Sequence, residues 1–388
     1  MINDYLVPDY FPSFSCKMGA CRTACCEGWP ISISRNDYFR LLSVECSEEL
    51  RRRLDVSMHL ADYPTPERYA LISPRYDGQC PLRMEDGRCR LHAELGEGFL
   101  SAVCRLYPRG FRNRDGMREC SCANSCEAVL ELLYRHEPPL SFIRLDLDAD
   151  VPPAPERKVI FETAGREEEI RLWLIGHIQN RAYSLPRRML LLGEAMQALD
   201  QALSLPDTDR LQRLLSGEEK IPVPEGIEAD APHLLFGLDA ARKMIAIMDE
   251  RSDSIRSYGE AAIAYFGEDE AAFDRYEKAR GHFGLLVPAW QNWFEGMLVN
   301  HMFFSHFPFQ DRPVALKDEY LALCAVYALM RFLCLGWMAT HGSIDAAIDV
   351  CAAAFRLIDH TEFDRYAAPI LKDLNCDDWL HLRRLLCL

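Results

Sequence analysis

The stretch 321-LALCAVYALMRFLCLGWM-338 decides what kind of chain this is. Its apolar run reaches only the lower end of the length that spans a bilayer, and Arg331 sits near its middle, where a charge in hydrocarbon is costly. It therefore reads as the buried core helix of a soluble protein, with no membrane segment. Helical patterning continues outward from it, at 234–250, 258–283, 287–305, 316–340, 343–359 and 377–387. Upstream, 165-GREEEIRLWLIGHIQNRAYSLPRRMLLLGEAMQAL-199 places Ile170, Trp173, Leu174 and His177 on one helical face, then Met189, Leu192 and Met196 on another.

Two breaks interrupt this pattern. The span 145-LDLDADVPPAPERK-158 carries three prolines and alternating acids, and 220-KIPVPEGIEADAPH-233 divides the helical part downstream of it. Strand signals gather in the first 120 residues, near 30-PISIS-34, 68-RYALIS-73 and 87-GRCRL-91. The expected fold is mostly α: a small cysteine-rich α+β region over residues 1–145, then an all-α helical body over 146–388 with an internal break near 220–233.

Charge and motifs exclude several functions. The 388 residues carry a formal net charge of −15, and no stripe of Lys and Arg is present to track a phosphate backbone, so nucleic acid is not an expected partner. An acidic surface does suit a lysine-rich protein substrate. No G-x-G-x-x-G follows a strand to open a helix, and P-loop, H-E-x-x-H and G-x-S-x-G motifs are missing. The C-x3-C-x2-C triplet of radical S-adenosylmethionine enzymes fails as well, because Gly28 stands at its third position. The N-terminus, MINDYLVPDYFPSF, has no basic start and no apolar run of signal-peptide length, so a cytoplasmic location with reduced thiols is expected.

Eleven of the sixteen cysteines lie in residues 1–126. Cys16, Cys21, Cys25 and Cys26 fall within 14-FSCKMGACRTACCEGWPISI-33. Cys80 and Cys89 flank an Asp86-Gly87 turn in 80-CPLRMEDGRCRLH-92. Cys104 precedes a Tyr-Pro, and 119-ECSCANSCEAVLELL-133 brings Cys120, Cys122 and Cys126 to the mouth of an amphipathic helix. Thiolates offered from several loops and turns select zinc, copper(I) or iron–sulfur clusters. Zinc would use Cys21-x3-Cys25 and Cys122-x3-Cys126 as knuckles, with His92 as a substitute ligand; a cluster would use four thiolates, or three with one open iron position. Spacing alone leaves both open. The late cysteines Cys324, Cys334 and Cys351 read as core, the pair Asp377 and Asp378 as a solvated helix start, and His301 and His306 as core-edge histidines with a ligand role conceivable.

The segments 10-YFPSFSCKMGACRTACCEGWPISISRNDYFRL-41, 80-CPLRMEDGRCRLHAELGEGFLSAVCRLYPR-109 and 125-SCEAVLELLY-134 resemble the flagellin lysine-N-methylase family, and 292-NWFEGMLVNHMFFSHFPFQD-311 extends the likeness more loosely. The first of these is also similar to a broader group of zinc- or iron-chelating cysteine proteins. The resemblance places the family's cysteines on Cys16, Cys21, Cys25, Cys26, Cys80, Cys89, Cys104 and Cys126, and leaves out Cys46, Cys120 and Cys122. It implies methyl transfer from S-adenosylmethionine to lysines of flagellin, and an iron–sulfur cluster of the [4Fe–4S] type. The family pattern continues Cys-Pro where this chain has Cys126-Glu127, a change expected to cost no function.

A cluster iron without a thiolate is the expected holder of the donor's methionine end, with Arg105 or Arg109 on its carboxylate. The alternative is a non-catalytic zinc- or iron-binding protein with a structural cysteine cluster and a partner-binding helical body.

Overall fold

The structure, a computed structural model, describes residues 2–22, 25, 30–114, 117–149, 163, 165–204, 208–226, 231–249, 253–310, 314–361 and 363–388. The proline-rich part of the expected boundary, and Cys26, lie outside the described residues. Among the described residues, helices dominate from residue 167 onward and the strands all lie before residue 149. The fold class is the one expected: a small α+β region, then an all-helical body.

The helix Leu316–Met338 runs through the centre of the body. Its most apolar 18-residue window is 94% buried inside the protein, although by length and composition it could cross a membrane. Helices Leu185–Ser204, Ala231–Asp249, Arg256–Phe266, Ala272–Leu286, Ile344–His360 and Phe363–Asp373 pack around it. One close approach depends on Gly336, where an added Cβ would stand 2.5 Å from the Ala262 Cα. Arg331 is buried in this core. Its Nε donates to the Leu388 carbonyl at 2.9 Å, and its guanidinium lies 3.9 Å over the Trp290 ring. Cys324, Cys334, Cys351 and Cys376 are buried here too.

Among the described residues seven strands form two sheets: β1 (Ile2–Pro8), β2 (Ile31–Ile33), β3 (Met58–Leu60), β4 (Ala70–Ile72), β5 (Arg109–Arg114), β6 (Met117–Cys122) and β7 (Phe142–Asp148). The larger sheet has the order β5-β6-β1-β7, with β1 parallel to β6 and antiparallel to β7. Tyr5 and Val7 of β1, and Cys120 and Cys122 of β6, join the same apolar core as the helical body. The smaller sheet, β2-β4-β3, builds a separate core from Ile31, Ile33, Leu41, Leu54, Ile72 and Leu91 with their neighbours.

Several local expectations need correction. Only PISIS and RYALIS become strands, as β2 and β4. GRCRL makes one isolated bridge, Arg83 with Cys89, and then enters the helix Arg90–Leu95. Strands also extend past residue 120: β7 takes the acid-alternating start of the expected linker, and it does so because every residue pairs with β1, from Ile2↔Asp148 to Pro8↔Phe142. The single run 258–283 is two helices divided at Gly267, whose φ of +60° ends the first. Asp378 caps the helix Trp379–Leu385, its carboxylate accepting from the Leu380 N–H at 2.8 Å.

Candidate metal centre

Cys126 stands at the N-cap of the helix Glu127–Arg135. Burial pushes its thiol up to about 11, against the pull of the Val129 and Ala128 N–H groups, and the charges of Cys21 and Cys16 add to the rise. Cys21 is half-buried. Burial raises its thiol, and Glu127 and Cys16 raise it further, while Lys17 opposes them. Cys16 and Cys25 are exposed, and the Cys16 sulfur accepts from the Met18 N–H at 3.4 Å. The Tyr107 hydroxyl, raised mainly by burial, feels both Cys126 and Cys25. Cys16, Cys21 and Cys25 on one loop and Cys126 at the helix cap are thus near enough for their charges to act on this neighbourhood.

Charged groups fix the loop that carries them. The Glu127 side chain is 1% exposed and accepts from Lys17 Nζ at 2.8 Å; its second oxygen accepts from the Arg22 N–H at 3.0 Å. Glu131 takes the same ammonium at 2.6 Å, and Arg22 Nε donates to Asp349 of the helix Ile344–His360 at 2.8 Å. On the other side sits the Cys80–Cys89 turn, closed by Met84 and Arg88. Gly19, with a φ of +106°, lies so near that an added Cβ would come within 2.7 Å of the Arg88 backbone. Only glycine fits there.

The other expected ligands divide. Cys80 is buried in the smaller core, and Cys89 and Cys104 pack against it with Cys46. His92 is half-buried on the helix Arg90–Leu95. Cys122, half of one expected zinc knuckle, is wholly buried, and burial pushes its thiol far up. Arg105 is exposed. Arg109 lies 4.9 Å over the Phe14 ring, and its charge acts on Cys120 and Cys122.

A polar web ties the 122–126 segment to the helical body, and nothing local in the sequence announces it. Asn300 donates to the Cys122 carbonyl at 2.8 Å and to Asn124 Oδ1 at 2.7 Å, and accepts from the Tyr10 hydroxyl at 2.7 Å. The Asn124 N–H donates to Asp359 at 3.1 Å, and Asp359 also holds His301 at 2.9 Å. Ser125 Oγ lies 2.7 Å from His360 Nε2 and 3.0 Å from the Tyr107 hydroxyl. A second buried group joins Glu119 to Arg171 and to His306, the latter at 3.2 Å, with Glu167 on the far ring nitrogen at 3.4 Å. Both histidines thus meet carboxylates rather than thiols.

All fifteen described cysteines are free thiols. Cys16, Cys21, Cys25 and Cys126 fit a soft metal or an iron–sulfur group by donor type, by number and by their places on short loops or a helix cap. Among the described residues no three Cys, His, Asp or Glu side chains stand close enough to hold a metal as they are placed.

A family profile described as the FliB lysine N-methylase C-terminal domain matches residues 171–385, more than half of the chain. The lysine-N-methylases of Salmonella typhimurium and Salmonella choleraesuis are each 27% identical to it over 124 residues, 31% of this chain and 30% of theirs. The flagellar biosynthetic protein FliU of Salmonella muenchen is 26% identical over 122 residues, 31% of this chain and 72% of its own. The match therefore spans less than a third of the Salmonella lysine-N-methylases. No solved structure matches the chain. By the extent of the profile match, the chain belongs to the FliB lysine N-methylase family.

Proposed function

We propose that this protein is a protein-lysine N-methyltransferase of the cytoplasm, which moves a methyl group from S-adenosylmethionine to lysines of flagellin with the help of a [4Fe–4S] cluster. The match of residues 171–385 to the lysine N-methylase profile carries this reading, and Cys16, Cys21, Cys25 and Cys126 supply the sulfur donors it calls for. The relatives' names support its two ends: lysine-N-methylase for the reaction, and flagellar biosynthesis for the substrate's setting.

Those four thiols would hold the group. When bound, it supplies an iron able to act as a Lewis acid toward the donor's methionine end. The protein's own groups do the rest. Lys17, Glu127 and Arg22 keep the cysteine loop against two helices, so its thiols stay together. Arg105, exposed beside Cys104, offers a charge-assisted hydrogen bond to the donor's carboxylate. A lysine attacks only as the neutral amine, so the protein must take it from an ordinary pKa of about 10.4 to its free-base form. The net charge of −15 draws lysine-rich surfaces toward the molecule.

Anaerobic reconstitution with iron and sulfide, then incubation with flagellin and S-adenosylmethionine, tests the proposal by mass spectrometry. Methyl increments on flagellin lysines are expected. A brown, loaded protein that adds none would sink it, and a colourless preparation with stoichiometric zinc would support a structural cysteine cluster instead.

A further inference from the structure

A cavity of about 510 Å³ opens between the segment ending at Gly226, the start of the helix Ala231–Asp249 and the helix Trp379–Leu385. That volume lies within the ~300–1,000 Å³ of sites that hold small molecules. Charge sets its lining apart. Arg383, Arg384 and His233 face it, with Glu225 as the one carboxylate among the described residues, and Leu380 adds apolar surface. In a chain of net charge −15, two guanidiniums on one recess against a single carboxylate make a local positive spot.

Packing, not counter-charge, holds these guanidiniums. Gly237 lets the two helices touch, since a Cβ there would stand 3.0 Å from the Arg384 carbonyl oxygen. Phe236 meets two side chains of the second helix, with its ring 5.1 Å from the His381 ring and 5.9 Å from the Arg384 guanidinium. The Arg384 Nε is buried there without an acceptor. Arg383 Nη2 donates to the Gly226 carbonyl at 3.1 Å and to the Glu225 carbonyl at 3.3 Å. Among the described residues no carboxylate pairs with either guanidinium, whereas Arg22, Arg171, Arg181 and Arg188 each have one. Basic residues in a last helical turn offset the negative end of the helix. That accounts for their charge but not for the ligand-sized recess that both of them line.

A guanidinium is a planar fork of N–H groups that suits phosphate and carboxylate oxygens two at a time. A positive recess with leucine beside the charges therefore fits an organic anion better than an amine. We propose that this cavity binds a small organic oxyanion of up to nucleotide size, carried as a phosphate ester or a polycarboxylate, with Arg383 and Arg384 on its oxygens. Glu225 opposes the anion and limits its affinity. The site is independent of the methyl-transfer reading above.

The test is calorimetry on the full chain with sodium pyrophosphate, ADP and citrate, and putrescine as the comparison. Saturable binding of at least one anion is expected, and none of putrescine. The tightest anion names the class: pyrophosphate or ADP for a phosphate ester, citrate for a polycarboxylate. Arg384→Gln should weaken that anion about tenfold or more by removing a charge-assisted pair, and Arg384→Lys should recover part of the loss. Glu225→Gln should tighten it, a gain that damaged packing cannot produce. The saturating anion should raise the Tm of the parent and leave that of Arg384→Gln unchanged. Circular dichroism establishes that each variant folds, and Arg384→Lys with Glu225→Gln carries the test if Arg384→Gln does not. Arg52→Ala, on a helix of the small α+β region, should bind as the parent does. Absence of saturable anion binding overturns the proposal. So does equal binding by the parent, Arg384→Gln and Glu225→Gln, which would put the anion elsewhere on the surface.

Discussion

The Glu127 carboxylate stands 2.8 Å from Lys17 Nζ, bringing residues 110 positions apart into one ion pair at the base of the cysteine loop. Where the family pattern has proline, this chain has a group that both starts a helix and grips the loop. Glu127→Ala should leave the Arg22 N–H without its acceptor and Lys17 with Glu131 alone. We expect a loss of about 1–3 kcal/mol in urea unfolding, and lower iron retention after desalting. Glu127→Gln should recover most of the stability, because its amide oxygen still accepts from Arg22.

Serine at Cys21 or Cys126 should abolish bound iron as read by elemental analysis, since those thiols stand within the group. Serine at Cys324, deep in the helical core, should leave iron per folded protein unchanged. It should lower stability by about 1–3 kcal/mol, because a more polar hydroxyl replaces the thiol in an apolar core beside Tyr320. Equal iron loss from both kinds of variant would remove the thiol group as the site.

Glu119 governs an acid limb. Burial alone would push its carboxyl up; the Arg171 charge and the His306 hydrogen bond outweigh that and hold it at about 2 rather than 4.5. A folded value below the unfolded one means the stabilisation is complete above about pH 4.5 and is lost as pH falls toward 2. The shift corresponds to about 3 kcal/mol. Stability measured from pH 7 down should fall across that window, and Glu119→Gln should start lower by a similar amount and show a flatter acid limb.

Gly336→Leu should destabilise the body by about 1–3 kcal/mol or more, because the central helix and Arg256–Phe266 have no room for a side chain there. Thermal unfolding followed by far-ultraviolet circular dichroism reads it. Gly281→Ala, where an added Cβ meets nothing within 4 Å, is the control and should be neutral or slightly stabilising.

The helical body was legible because helix Leu316–Met338 and its neighbours carry long apolar runs, and burial on many sides needs nothing subtler. β7 was not. Its acids face outward and its partner strand lies some 140 residues earlier, so local patterning suggests a linker where tertiary pairing makes a strand. The cysteine-bearing segments were equally plain, yet which thiols meet depends on remote pairs. Arg22 reaches Asp349 across 327 residues, and Lys17 reaches Glu127. Such salt bridges leave no periodicity and no motif. Arg383 and Arg384 show the same limit: two arginines closing a helix say little until both are found lining one recess, with no carboxylate among the described residues paired to either.

β1 lies between β6 and β7, both of which come after it by more than a hundred residues. As the chain emerges from the ribosome, its earliest strand must wait for both neighbours, and the thiols at 16–25 wait with it. Sheet closure, and with it the ion pairs that hold their loop, belongs to the later part of translation. Iron supplied to the nascent chain would meet these sulfurs while they are still loosely held.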